Sequence, residues 1–125
     1  NDATIRVITQ GLVDLKILQG DVDALIVQGA YRDFYMHSAG HWLGMDVHDV
    51  GVYKLDGASR PLIAGMVTTV EPGIYIDPED LDIAPQWRGI GVRIEDNILV
   101  TDHGYRNLTA NLPVSVADIE TIMAS

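Results

Sequence analysis

Residues 66–76 read MVTTVEPGIYI, a β-branched run that ends in a glutamate, a proline and a glycine. Valine and threonine favour extended structure, so residues 66–71 are predicted to form a strand. Residues 73–76 are predicted to continue this strand after the interruption at Pro72. Glu71 ends the run just before a turn, where functional side chains often project. The segment therefore predicts both a sheet and a candidate carboxylate for a site.

A second strand-like pair lies further along the chain. Residues 91–95 and 98–101 flank an Asp-Asn pair, which predicts a tight hairpin. In the first of these runs, the period of two puts Arg93 and Glu95 on one face. A carboxylate on a buried strand must be paired, protonated or bound to a metal, whereas an Arg–Glu pair on a half-exposed sheet is the alternative.

Amphipathic segments lie at both ends of the chain. Residues 4–19 carry apolar side chains at helical spacing, and Gly20 suits the position just past the end of this helix. Asp21 is predicted to cap a second helix that ends near Gly29, and Ser115 is predicted to cap a third. The fold class is therefore α+β, with an antiparallel sheet and flanking helices.

Composition narrows the class of partner. The 125 residues suggest one small domain, and a hydrophobic content of 47% provides for a core. Eighteen acidic residues against eight basic ones give a net charge of −10, which argues against binding nucleic acid or an anionic membrane. The absence of cysteine excludes disulfide scaffolds, zinc fingers and thiol nucleophiles.

Three of the four histidines, His37, His41 and His48, fall within twelve residues and have aspartates nearby. Such a cluster suits metal ligands, a proton shuttle or donors to an oxyanion. The spacing from His41 to His48 requires a bend near Gly44 if both side chains reach one site. Histidines that are neighbours in sequence by chance are the alternative, since no simple zinc pattern is matched.

Two weaker patterns carry no site. Residues 77–82 are acidic enough to suggest calcium, but Leu81 and Arg88 occupy positions that an EF-hand loop gives to ligands. The glycines at positions 89 and 91 are too few for a phosphate-binding loop. We interpret residues 77–86 as a solvated loop.

Taken together, three motifs resemble the aminopeptidase P (Xaa-Pro aminopeptidase) and prolidase family of metallopeptidases, whose fold is known as the pita-bread fold. They read HWLGMDVHDVG at 41–51, VEPGIY at 70–75 and GIGVRIED at 89–96. Trp42 and the continuation VGVY at 50–53 favour aminopeptidase P over a dipeptidase. The resemblance extends over most of the chain and implies the C-terminal half of that fold.

The resemblance implies two divalent metal ions, usually manganese, in the complete enzyme. His41 and Glu71 would be ligands to one of them, and Glu95 would bridge both. Arg93 would orient Glu95 without itself binding the metal, which agrees with the strand face that these two residues share. Two metals close together acidify a bridging water and polarise the scissile carbonyl, which is the chemistry of peptide hydrolysis.

The same resemblance implies how substrate would be handled. The substrate would be a peptide with proline as its second residue. His48 and His37 would contact it, stabilising the developing oxyanion or passing the proton to the leaving group. Glu71 would also help to deprotonate the attacking water.

The family also uses two aspartate ligands from the first half of its fold, for which this chain offers no candidate. The expectation is therefore that residues 1–125 are the C-terminal portion of a catalytic domain, without its first half and N-terminal domain, and are inactive alone. The lack of an initiator Met agrees with truncation. A prolidase-type dipeptidase fragment, or a stand-alone non-catalytic binding or assembly module, are the alternatives.

Three expectations concern assembly and location. A half-fold should expose apolar surface, so self-association is expected, with a homo-oligomer in the complete enzyme. Nucleic-acid and membrane partners are not expected. The expected location is cytoplasmic.

Overall fold

Helices lie at both ends of the chain and short antiparallel strands lie between them, which confirms the α+β prediction. The computed structural model describes residues 1–124, so Ser125 of the predicted span 1–125 lies outside the described residues. The helices are α1 (Asp2–Asp14), α2 (Val22–Gln28) and α3 (Val116–Met123). The strands are β1 (Lys54–Leu55), β2 (Ala58–Ser59), β3 (Val67–Val70), β4 (Gly73–Tyr75), β5 (Gly91–Arg93), β6 (Asp96–Thr101) and β7 (Gly104–Asn107).

The chain divides into two compact units. Unit 1 comprises Asn1–Ala39 and Pro72–Arg93, and unit 2 comprises Gly40–Glu71 and the residues from Ile94 onward. Unit 1 therefore contains α1, α2, β4 and β5, whereas unit 2 contains the remaining strands and α3. None of the helices in the described part of the chain has both the length and the apolar character needed to cross a membrane.

The core of unit 1 forms around α1. Helical spacing puts Ile5, Ile8 and Leu12 on one face, and all three side chains are buried. They pack with side chains from the chain after α2 and from the segment after β4, so that the core cluster is Ile5, Ile8, Leu12, Phe34, Tyr35, Ile76 and Ile83.

The predicted end of the first helix at Gly20 is wrong, because α1 ends at Asp14. Lys16 adopts a left-handed conformation with φ of 60°, and the N–H of Ile17 donates to the carbonyl of Leu12 at 2.9 Å. This is a Schellman motif, and it closes the helix without a glycine. The turn brings the partly buried Ile17 against the core, and this burial offsets the cost of the left-handed lysine.

The second helix confirms the predictions that Asp21 caps it and that it ends near Gly29. The Asp21 carboxylate accepts a hydrogen bond from the N–H of Ala24 at 3.0 Å, which caps the first turn of α2. Gly29 ends the helix with a φ of 77°, a conformation that glycine adopts without strain.

Strand β4 pairs with β5, with Gly73 opposite Arg93. The prediction that residues 73–76 continue the preceding strand is therefore wrong, and β5 is not one arm of a hairpin with β6. Pro72 has no N–H to offer a ladder, so pairing with the partner of β3 stops there. The N–H of Tyr75 instead donates to the carbonyl of Phe34 at 2.9 Å.

Unit 2 is built on the antiparallel sheet β3-β6-β7. The predicted turn at Asp96 and Asn97 is wrong, because both residues lie inside β6, opposite Val70 and Thr69. The polar pair is accommodated by Thr109, whose hydroxyl donates to Asp96 at 2.6 Å and accepts from the Asn97 N–H at 3.1 Å.

The tight turn that follows β6 lies further along the chain, between β6 and β7, where Thr101 pairs with Gly104. The hydrogen bond from Thr109 and a second from Asn107 hold the pKa of the Asp96 carboxyl below its usual value, while partial burial opposes this shift. Stabilisation of the ionised form therefore anchors Asp96 in the sheet.

Helix α3 confirms the third predicted helix, since the Ser115 hydroxyl accepts from the Asp118 N–H at 3.2 Å. Its apolar face is exposed, and this face comprises Val116, Ile119, Ile122 and Met123, each at least 44% accessible. An apolar helix face of this kind normally packs against a partner.

Candidate metal centre

Glu71 follows β3 directly, so it shares a strand face with Thr69 two residues earlier. Both side chains are buried, with relative exposures of 9% for Glu71 and 2% for Thr69. The Thr69 hydroxyl donates to Oε1 of Glu71 at 3.0 Å. The carboxylate is thus held at the end of the sheet and satisfied in part by its own strand.

His41 lies beside the same strand. Its carbonyl accepts from the N–H of Thr69 at 2.9 Å and from the hydroxyl of Thr68 at 2.8 Å. The approach of the two segments is close, because a Cβ on Gly40 would lie 1.9 Å from the Thr69 carbonyl oxygen. Only glycine fits at position 40 without movement of the backbone.

The chain then bends back on itself, as the spacing of His41 and His48 requires. Residues 44–48 form bends, and the N–H of Asp49 donates to the carbonyl of Trp42 at 3.1 Å to close the loop. The two imidazole rings end 4.2 Å apart at an interplanar angle of 75°. The predicted bend near Gly44 is therefore present, and it leaves His48 on the surface beside His41.

One group of three potential ligands results. His41, Glu71 and Glu95 each offer a ligand atom, and these atoms lie within 4.8 Å of one another. Glu95 is exposed, whereas His41 is half-buried and Glu71 buried. The structure thus brings together the three residues for which the family resemblance implies metal binding.

The hydrogen bonds of His41 indicate how this group would meet a cation. Nδ1 lies 2.9 Å from the carbonyl oxygen of Trp42, which only accepts, so Nδ1 donates to it. The other ring nitrogen, Nε2, lies 3.2 Å from Oε1 of Glu71. Nε2 and Oε1 therefore face the same point, where a cation would contact both of them.

The chemistry of the donor set agrees with this geometry. One imidazole nitrogen and two carboxylates suit manganese, cobalt or zinc better than a metal that prefers thiolates. The residues present therefore fit a divalent cation.

His37 belongs to unit 1, where it forms a second cluster with Tyr75 and Arg93. Nδ1 of His37 lies 2.8 Å from the carbonyl oxygen of Ser38, which only accepts, so Nδ1 donates to it. Nε2 lies 3.1 Å from the Tyr75 hydroxyl and 3.3 Å from the Arg93 guanidinium, which also donates to that hydroxyl at 2.6 Å. Orientation of Glu95 by Arg93 stays a prediction.

Comparison with known proteins places the chain in a family. Residues 1–102 match Metallopeptidase family M24. The chain belongs to metallopeptidase family M24. It is 63% identical over 123 residues to an Xaa-Pro aminopeptidase of Haemophilus influenzae. Family M24 is thus established over most of the chain, including His41, Glu71 and Glu95.

Solved structures of M24 relatives agree. The Pseudomonas aeruginosa aminopeptidase PepP is similar with a TM-score of 0.95 and 60% identity over 98% of this chain. Zn-substituted Escherichia coli aminopeptidase P, in complex with product, is similar with a TM-score of 0.88 and 55% identity over 96% of this chain. The chain spans about 28% of the length of the relatives it matches.

Two residues of this M24 chain were not singled out from the sequence. Thr69 contacts both His41 and Glu71, and its position two residues before Glu71 on a strand was the available signal. Tyr75 joins His37 to Arg93, but 38 residues separate it from His37, so no local pattern announces this contact.

Proposed function

We propose that this chain supplies part of the catalytic centre of a dinuclear-metal aminopeptidase. The reaction is hydrolysis of the bond between an N-terminal residue and a following proline. The observation that carries the proposal is the convergence of His41, Glu71 and Glu95 within 4.8 Å. The similarity to Xaa-Pro aminopeptidases supports the substrate class.

Each ligand has a role in the proposal. Nε2 of His41 and the carboxylates of Glu71 and Glu95 would hold the divalent ions, and manganese is the proposed metal. Bound divalent ions of this kind polarise a carbonyl and acidify water. The buried Glu71 carboxylate would also accept the proton of the attacking water, which is the role of a general base.

Two histidines act on the substrate in the proposal. His48 is exposed beside His41, which suits a donor to the oxyanion that develops on the scissile carbonyl. His37 would also contact the substrate, either stabilising the developing oxyanion or handling the proton to the leaving group. The Arg93 and Tyr75 contacts to His37 support this role, because they fix the orientation of its ring.

The decisive test is titration of the chain with Mn²⁺, followed by electron paramagnetic resonance. Glu71→Gln keeps the shape of the side chain and removes its charge, so it should weaken Mn²⁺ binding at least about tenfold. Glu79→Gln is the matched control, since Glu79 lies exposed in the loop after β4. Equal Mn²⁺ affinity in Glu71→Gln and the unchanged chain would refute the metal centre.

Activity tests separate the remaining alternatives. We expect no appreciable Xaa-Pro hydrolysis by the chain alone with added Mn²⁺, because the two aspartates implied by the family resemblance have no counterpart in the ligand group. Robust turnover by a preparation free of contaminating peptidase would overturn this expectation. Cleavage of dipeptides only, by the full-length enzyme, would indicate a prolidase. Absence of both metal binding and cleavage would favour a non-catalytic module.

We also propose that the chain self-associates through exposed apolar surface. The apolar face of α3 supports this, as do exposed side chains near β1 such as Val50 and Leu55. Sedimentation velocity should show concentration-dependent association, and a monodisperse monomer at all concentrations would contradict it. The cytoplasmic location stays a prediction.

A further inference from the structure

A single hydroxyl connects two members of the candidate metal centre. Oγ1 of Thr69 lies 3.0 Å from the backbone nitrogen of His41 and 3.0 Å from Oε1 of Glu71. Thr69 is 2% exposed, so water has little access to this side chain. The hydroxyl is thus the shared hydrogen-bonding partner of a histidine backbone and a carboxylate.

The direction of each hydrogen bond follows from the chemistry of the groups. The His41 N–H can only donate, so Oγ1 accepts there. The single proton of the Thr69 hydroxyl is then free to donate to Oε1 of Glu71, as an ionised carboxylate requires. The two bonds together satisfy the hydroxyl, and both would be lost if the hydroxyl were removed.

The same residue holds His41 a second time. The backbone N–H of Thr69 donates to the carbonyl of His41 at 2.9 Å. His41 is therefore fixed at both its N–H and its carbonyl by one residue, while the neighbouring Gly40 allows the close approach. Small displacements of Thr69 would move the imidazole and the carboxylate together.

A buried threonine with a purely structural role makes different contacts. Thr9 is also buried, at 0% exposure, and its hydroxyl donates at 2.7 Å to the carbonyl of Ile5 in its own helix. That bond ties no side chain to another and touches no candidate ligand. The Thr69 hydroxyl instead accepts from one residue of the candidate metal centre and donates to another.

We propose that Thr69 is a positioning residue, whose hydroxyl holds the Glu71 carboxylate and the His41 backbone in the arrangement that lets both bind one divalent cation. The inference rests on the metal-binding role proposed above for His41 and Glu71. Groups that orient metal ligands typically contribute 10- to 100-fold to metal affinity, roughly the effect expected here.

The experiment compares three variants of the chain. Thr69→Val is nearly isosteric and replaces only the hydroxyl by a methyl group, so Mn²⁺ affinity measured by calorimetry should fall about 10- to 100-fold. Thr69→Ser restores the hydroxyl and should return the affinity toward that of the unchanged chain. Thr9→Val deletes an equally buried hydroxyl outside the centre and should leave the affinity unchanged.

A spectroscopic readout distinguishes positioning from general destabilisation. The absorption spectrum of bound Co²⁺ reports ligand geometry, and it should change in Thr69→Val while it is preserved in Thr69→Ser and Thr9→Val. Unchanged affinity and spectrum in Thr69→Val, or a failure of Thr69→Ser to restore them, would overturn the inference.

Nuclear magnetic resonance of the metal-free chain provides a second decision. In the unchanged chain, the Thr69 hydroxyl proton should be visible as a slowly exchanging signal, and its absence would overturn the inference even if Thr69→Val failed to fold. Loss of its acceptor should speed exchange of the His41 amide about tenfold in Thr69→Val. If the unchanged chain bound no divalent cation, the proposed function would fail, whereas these two signals would still show whether the Thr69 hydroxyl holds the Glu71 carboxylate and the His41 backbone.

Discussion

Gly40→Ala is the substitution whose consequence follows most directly from the geometry of the candidate centre. The added Cβ would lie 1.9 Å from the carbonyl oxygen of Thr69 and 2.8 Å from its carbonyl carbon. Atoms of this kind do not approach within 3.0 Å, so the segment before His41 must move away from β3 by about 1 Å.

This movement has a calculable cost. It would stretch the 2.9 Å bond from the Thr69 N–H to the His41 carbonyl and the 3.0 Å bond from the His41 N–H to the Thr69 hydroxyl beyond useful length. Each hydrogen bond contributes about 0.5–1.5 kcal/mol, and overpacking costs typically 1–3 kcal/mol. We expect Gly40→Ala to lower the free energy of unfolding of unit 2 by about 2–6 kcal/mol.

The measurement is urea denaturation followed by tryptophan fluorescence, because Trp42 lies in the affected segment and reports on it directly. Gly11→Ala is the matched control, since a Cβ at Gly11 meets nothing within 4 Å and the residue lies in α1. That control should stabilise the helix by about 0.5–1 kcal/mol. The same added methyl group should thus lower the free energy of unfolding at position 40 and raise it at position 11.

The outcome of Gly40→Ala also bears on metal binding. Displacement of His41 from Glu71 should weaken Mn²⁺ binding in parallel with stability. A loss of less than about 0.5 kcal/mol, within the range of ordinary surface substitutions, would show that the two segments do not approach as described and would refute the reasoning.

The remaining predictions concern the core and the pH dependence of stability. Leu12→Ala should lower the free energy of unfolding by about 2–5 kcal/mol, because Leu12 is fully buried in the unit 1 core. Val7→Ala on the exposed face of the same helix should change it by less than about 0.5 kcal/mol, and equal effects in urea denaturation would contradict the assigned core. The lowered pKa of Asp96 stabilises the folded state above the usual aspartate value of about 3.9, and this contribution is lost as the pH falls through the lower folded value. Thr109→Val removes the main cause of the lowered Asp96 pKa. The free energy of unfolding of this variant should therefore be lower than that of the unchanged chain at neutral pH, and it should fall less on acidification. Urea denaturation at pH 7 and at pH values of about 4 and below measures both differences. A parallel fall in both proteins would argue against the Thr109 contact.

Local signals predicted the starts of α2 and α3 well, whereas they misplaced the end of α1 and predicted the strand pairing poorly. Asp21 and Ser115 are capping residues whose hydrogen bonds span three residues, so the sequence contains both partners of each bond. No such local signal predicts the partners of β6. Its partners β3 and β7 lie at different distances along the chain, and several strand registers satisfy the same alternation of apolar and polar residues. The Asp-Asn pair is typical of a hairpin turn, but Thr109 satisfies both residues inside the strand.

The sequence by itself determined which side chains are candidates for the chemistry. Glu71 and Glu95 stand out because a carboxylate in an apolar strand-like run is costly unless it is paired, protonated or bound to a metal, and His41 stands out as one of three clustered histidines. The family resemblance is what implies metal binding by all three. Only the tertiary structure decided that these three converge, that His48 folds back onto His41, and that Thr69 joins two ligands through one hydroxyl. Such contacts join residues as many as 54 positions apart in sequence, and their geometry depends on strand register and close backbone approach, which no local pattern encodes.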